Sequence, residues 1–145
     1  MTSRRVRPVV LLLVGGIALT GCGEAQGGES ELPEVATVAD PEDGGPGIIT
    51  LSEAADRRLG ITTAPVATGG AGLLVPYAAL VYGTDGATAV FVETEPLSYR
   101  RTPVTVAGRS GDQVALTDGP ATGTEVVTVG AAELVGIETG LDGEE

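Results

Sequence analysis

The stretch APVATGGAGLLVPYAALV, Ala64 to Val81, decides how this chain folds. Two apolar, strand-like pieces flank a joint, Ala67 to Gly72, that holds three glycines in six residues. Six residues reach at most about 20 Å, enough to close a loop and too few to house a domain. The strand signals on the two sides therefore belong to one folded unit.

Upstream of the joint, GIITL (residues 47–51) reads as a short strand. SEAADRRL follows as a helix, with Ser52 as N-cap, Glu53 beside the positive N-terminal end and Arg57 and Arg58 beside the negative C-terminal end. Gly60 is placed to end it in the left-handed conformation. ITTAPV is a second strand, with Pro65 at an end or edge. Downstream, LLVPYAALVY is an extended run interrupted by Pro76, which predicts that part of it is an edge. TDG, Thr84 to Gly86, is a hairpin turn across which ATAVFVE pairs back. YRRTPVTVAG places Val104 and Val106 on one face, with Thr105 between them. GDQVALTDG sets Val114 and Leu116 against Gln113, Ala115 and Thr117, and TEVVTVG follows the turn around Asp118 to Gly123. AAELVG, Ala131 to Gly136, predicts one helical turn. The sum is a mainly β fold, a small roll or barrel-like domain with one or two short helices. Its predicted bounds are residues 46–141, with residues 142–145 as a loose tail.

The chain has 145 residues and a formal net charge of −12, with no histidine. All eight basic residues are arginines, and three of them, Arg4, Arg5 and Arg7, precede an apolar run. The remainder sets five arginines against 20 acidic residues. Such a surface repels phosphate backbones and excludes nucleic acid as a partner. The aromatic residues are few: Tyr77, Tyr82, Phe91 and Tyr99. A core of Val, Ala, Leu and Ile is small and marginal.

Residues 1–21 read as an export signal: the arginine head, then Pro8 to Thr20, an apolar run shorter than the roughly 20 residues of a spanning helix. The run ends in LTGC, Leu19 to Cys22, which resembles the lipobox of bacterial lipoproteins. The resemblance implies cleavage between Gly21 and Cys22 and lipidation of Cys22. Two acyl chains, at about 0.8 kcal/mol per buried CH₂, anchor a protein stably. The expected location is thus the extracytoplasmic face of a cell membrane, with membrane lipid as one partner. Residues 22–45 carry seven acids and no base, which predicts a disordered tether of roughly 25–30 Å average span.

The residue inventory argues against an enzyme. Without histidine the commonest general base and metal ligand is missing, and the single cysteine is committed to the lipid. Asp112, Asp118 and Glu125 sit at turns, Glu93 and Glu95 on a strand end, none with the spacing of a calcium loop. No cofactor and no metal is expected, and the sequence carries no signal for an oligomeric state.

ITLSEAADRRLGITTAPV resembles the segment with which periplasmic adaptor proteins, or membrane fusion proteins, of resistance-nodulation-division efflux pumps enter their membrane-proximal domain. VPYAALVYGTDGATAVFVE is similar to the segment with which those chains return to it, through Val75, Pro76, Ala79, Leu80, Val90, Phe91 and Val92. The remaining strands fall in step through Arg101, Val104, Gly111, Val114, Gly119, Gly123, Val126, Val127, Gly130 and Leu134. Pro120 stands where the family usually has leucine, and Ala121 and Thr122 also depart from it. The resemblance implies that the joint marks a deletion. A full adaptor carries most of a barrel, a lipoyl-like domain and a helical hairpin at this point. The implied function is a non-enzymatic accessory lipoprotein of a membrane transport or efflux system, docking on a transporter through strand edges near Pro76 and Pro103. An extracytoplasmic ligand-binding module, or a cell-envelope spacer without a transporter partner, are the alternatives. With Met1 as its only methionine and no histidine, the chain is not suited to soft metals.

Overall fold

A computed structural model of the chain describes residues 34–141 except 71. The export signal, the cleavage site at Gly21 and Cys22, residues 22–33 of the tether and the tail 142–145 lie outside the described residues. The segments before and after the joint belong to one compact unit. Its architecture is mainly β, two antiparallel sheets with two helices, and the sheets do not close into a barrel.

The first sheet runs β1 (Ala36–Ala39), β2 (Ile48–Leu51), β8 (Ser98–Pro103), β7 (Thr88–Glu95), β11 (Glu125–Val129), β3 (Thr62–Pro65), with the short β6 (Val81–Tyr82) also on β7. The second runs β4 (Ala67–Gly69), β5 (Gly72–Pro76), β10 (Gln113–Asp118), β9 (Thr105–Ser110). Helices α1 (Glu53–Leu59) and α2 (Ala131–Leu141) cover the face of the first sheet that the second sheet leaves free. Three layers result, with an apolar core in each of the two gaps. Ala89 and Phe91 of β7 and Val127 of β11 pack with Ile49, Leu51, Tyr99, Ala55 of α1 and Leu134 of α2. Val90 and Val126, one residue away, pack with Val75, Val114 and Leu116 of the second sheet. Side chains alternate between strand faces, so a strand buried on both sides reads as the unbroken run Ala89–Val92.

The chain changes sheets four times, and two of the crossings turn on a single residue: Val66, between β3 and β4, and Val104, between β8 and β9. Both valines are buried, and their backbones are held. Val66 N–H donates to the Thr124 carbonyl (2.9 Å), and its own carbonyl accepts from Gly123 (2.8 Å). Val104 N–H donates to the Thr88 carbonyl (3.0 Å), and its carbonyl accepts from the Thr88 hydroxyl (2.8 Å). The N–H and the carbonyl of both valines are thus paired, which avoids a cost of about 1–3 kcal/mol per group.

Helix α1 forms as expected. The Ser52 hydroxyl accepts from Ala55 N–H at 3.2 Å, a cap worth about 1 kcal/mol. Gly60 ends the helix at φ 65° with its N–H on the Asp56 carbonyl. Strand β8 fastens both helices from one face. The buried Tyr99 hydroxyl donates to Asp56 of α1 at 2.8 Å, and Arg101 pairs with Glu138 of α2 at 2.9 Å. The TDG turn also forms: Gly86 has φ 82°, and Ala87 N–H donates to the Asp85 carboxylate.

Three expectations are corrected: the bound of the tether, the character of the joint and the length of α2. The tether does not extend to residue 45, because Ala36–Ala39 pairs with β2 from Ala36↔Leu51 to Ala39↔Ile48. Ala36 and Val38 reach the helix-side core, and Asp43 in the following loop is held by Arg100 at 2.7 Å, so acidic composition hid a short alternating strand. The joint is partly strand, since Ala67–Gly69 pairs with β5 up to Gly69↔Gly72. The edge expected in the Pro76 run is present in part: β4 covers β5 only as far as Leu74, so Val75 and Pro76 pair with β10 alone, and Val81–Tyr82 pairs with β7 alone. Val106 pairs with the buried Leu116 but is itself 38% exposed, as every residue of the outer strand β9 is exposed. Helix α2 runs past Gly136 to Leu141, because Leu134 and the Glu138–Arg101 pair fix successive turns onto the sheet.

Gly72 has φ 127°, and a Cβ there would meet the Leu116 carbonyl oxygen at 2.6 Å. Gly72→Ala therefore costs about 1–3 kcal/mol and lowers Tm by roughly 5–15 °C, while Gly70→Ala, in open space, leaves Tm nearly unchanged. Thermal melts followed by circular dichroism check both. Burial, and then the hydrogen bond to Asp56, push the Tyr99 pKa far above the usual phenol value of 10.0. The unfolded chain loses this proton near pH 10 and the folded one retains it, so the contribution of Tyr99 to stability is fully present below pH 10 and falls above it. Urea titrations from pH 8 to 11 show that decline in the native chain and a smaller one in Tyr99→Phe.

Candidate docking surface

Two of the four aromatic side chains lie outside the cores. Tyr77 opens the 3-10 turn Tyr77–Ala79 after β5 and is 37% exposed; Tyr82 ends β6 and is 57% exposed. Tyr77 N–H donates to the Asp112 carbonyl (2.8 Å), which seats the turn against the β9–β10 hairpin. That hairpin brings Arg109 of β9 over Tyr77, its guanidinium carbon 3.6 Å from the ring centroid. Arg109 Nε donates to the Gly111 carbonyl at 2.9 Å, which sets the plane of the group. Stacking of this kind is worth about 0.5–1 kcal/mol at an exposed site. The Tyr82 pKa is raised, first by hydrogen bonding with the Tyr77 side chain and then by loss of surrounding water, with Arg109 pulling the other way.

Tyr82 also lines an open groove of about 340 Å³ with Leu80, Val81, Ala132 and Val135. The cluster and the groove thus form one surface that spans β9, the 3-10 turn, β6 and α2. No acidic side chain is among the groove lining or the stacked Tyr77–Arg109 pair, although Asp112 adjoins Tyr77 through its carbonyl and Glu133 follows Ala132 on α2. Arg109 takes no part in the described ion pairs, Arg100 with Asp43 and Arg101 with Glu138.

The residues read from the sequence as family-like serve as framework around this surface. Val75 and Ala79 are fully buried and Leu80 partly so, while Pro76 immediately precedes Tyr77. Gly119 packs near Leu116 and Val104, Gly123 turns the chain at φ 86° before β11, and Gly130 at φ 89° opens α2 by accepting from Leu134 N–H. Pro103 is exposed where β8 leads toward β9, the outer strand of the second sheet. The sequence reading placed contacts near Pro76 and Pro103 and missed Tyr77, Tyr82 and Arg109. The available signal was the scarcity of aromatics, two of which flank a Pro-marked turn.

Two further depressions are present. Val35, Ala36, Gly136, Ile137 and Gly140 line an apolar one of about 380 Å³ beside α2. Glu93, Glu95 and Glu125 border an open cleft of about 450 Å³ with Pro96, Gly123 and Thr124. Among the described residues no cluster of acidic, histidine or cysteine side chains is arranged to hold a metal ion. No helix among them is long and apolar enough to cross a membrane. No family model, no curated protein and no solved structure matches the chain.

Surface side chains with no core contact change stability little. Arg109→Gln and Tyr82→Ala are expected to shift Tm by no more than about 5 °C, the equivalent of about 0.5–1 kcal/mol. Calorimetric scans of the two variants beside the native chain test this. A larger fall assigns the cluster to stability.

Proposed function

We propose that the protein is a non-enzymatic accessory lipoprotein of a membrane transport or efflux system. It is held at the extracytoplasmic membrane face through lipid on Cys22 and docks on a transporter through an adaptor-like membrane-proximal domain. The observation that carries this reading is that segments on both sides of the short joint fold as one unit, joined by the β4–β5 pairing from Ala67↔Leu74 to Gly69↔Gly72. That is the outcome the resemblance to adaptor proteins requires if the joint replaces the outer domains. The exposed Tyr77–Arg109–Tyr82 cluster supports it further, because tyrosine and arginine dominate the energetics of protein interfaces.

The full chain with a C-terminal tag, expressed in its native cell and purified from detergent-solubilised membranes, tests the proposal. A transporter subunit is expected to co-purify with it and to fall several-fold with the secreted Cys22→Ala form. Equal recovery of all membrane proteins with both forms refutes the reading.

A further inference from the structure

We propose that the Tyr77–Arg109–Tyr82 cluster and its groove receive a partner-protein segment carrying a carboxylate next to an apolar side chain. This rests on the docking reading above and adds the surface and the chemistry of what it binds.

The charge pattern selects the carboxylate. Arg100 and Arg101 on β8 are each paired with an acid of this chain, and Arg57 and Arg58 lie at the C-terminal end of α1, away from any aromatic ring contact among the described residues. Arg109 is instead fixed by its ring contact with Tyr77 and by the Gly111 carbonyl. Those contacts orient the guanidinium and engage Nε alone of its nitrogens. A pre-oriented guanidinium with both terminal amino groups available matches a carboxylate in a two-bond fork. Its side-chain entropy is largely lost before binding, which lowers the cost of association.

The groove supplies the apolar half. Leu80, Val81, Ala132 and Val135 carry no polar side-chain atoms, and Leu80 directly follows the 3-10 turn whose Tyr77 stacks on Arg109, so the groove and the arginine are joined along one short segment of chain. An aliphatic or aromatic side chain inserted there loses water on both sides, at roughly 25 cal/mol per Å² of apolar surface covered. Arginine and tyrosine bordering an apolar pocket are the usual composition of an interface hot spot.

Two other occupants fit less well. A two-fold contact with a second copy sets this surface against itself, and none of its residues offers a carboxylate to Arg109. An anionic leaflet attracts basic clusters, whereas this chain has a net charge of −12 and a single arginine here.

The test places a photo-crosslinking amino acid, p-benzoylphenylalanine, at Tyr82 of the full chain in its native cell, with Thr37 on β1 as the control position. Crosslinked peptides are sequenced, and each form is repeated with Arg109→Glu and Arg109→Lys. Expected is a protein crosslink at position 82 and not at 37, on a segment with Asp or Glu beside an apolar residue. It should fall roughly tenfold or more with Arg109→Glu, as when one partner of a desolvated charge pair is reversed, and persist in part with Arg109→Lys. Replacing the captured carboxylate by arginine should restore the crosslink to the Arg109→Glu form. A crosslink to a second copy or to lipid, no crosslink, or one indifferent to Arg109→Glu overturns the inference. Melting curves of the variants establish that they are folded. A captured carboxylate on a protein other than a transporter subunit sustains this inference and refutes the transport reading.

Discussion

The burial of β7 and β11 on both faces is the constraint on which the rest of the domain depends. Phe91 and Val127 look toward the helices, and Val90 and Val126 look toward the second sheet. Neither gap holds many large side chains. Phe91 is the only phenylalanine, and most of its neighbours are valine and alanine. A chain with so little bulk gains burial by using both sides of the same strands. The helices and the second sheet then follow as covers, each bringing one apolar face to a layer that cannot be left wet on either side.

Polar links set the helices on that layer with little choice of position. Tyr99 and Arg101 stand two residues apart on β8, hence on one face, and each reaches a carboxylate of a different helix. The Arg101 guanidinium also lies 5.9 Å from the centre of the Phe91 ring, so the ion pair and the core share a boundary. Removing one partner of such a pair leaves a half-buried charge unmatched, which costs more than the pair itself contributes. On the same strand Arg100 faces the other way and holds the β1–β2 loop through Asp43, whose pKa is lowered by that arginine and by the Gly45 N–H.

Local chemistry explains what was legible in the sequence. Ser52 and Gly60 bound α1 because capping is decided by neighbouring backbone groups. The Asp85–Gly86 turn and the alternation of β10 were readable for the same reason. Features set by distant partners were not. Ala36–Ala39 is strand only because β2 lies alongside, and α2 extends past Gly136 because Arg101 waits on β8 for Glu138. The turn after β7 places Leu97 at φ 66°, a conformation its side chain disfavours, and its carbonyl accepts from Leu51 N–H at 2.9 Å. Nothing within four residues announces that. The candidate surface was equally hidden, since Tyr77, Tyr82 and Arg109 come together through a hairpin and a turn that span 33 positions of the chain.

Val66 and Val104 have a mechanical consequence. Each lies where one continuous backbone passes from the first sheet into the second, and each is clamped by hydrogen bonds at that point. The layers are thus stitched together covalently as well as stacked. A pull applied at β9 travels along the main chain through Val104 into β8, and from there to both helices, without relying on side-chain friction between sheets. Sliding one sheet over the other would require breaking the clamps first, so the domain transmits load as a stiff block.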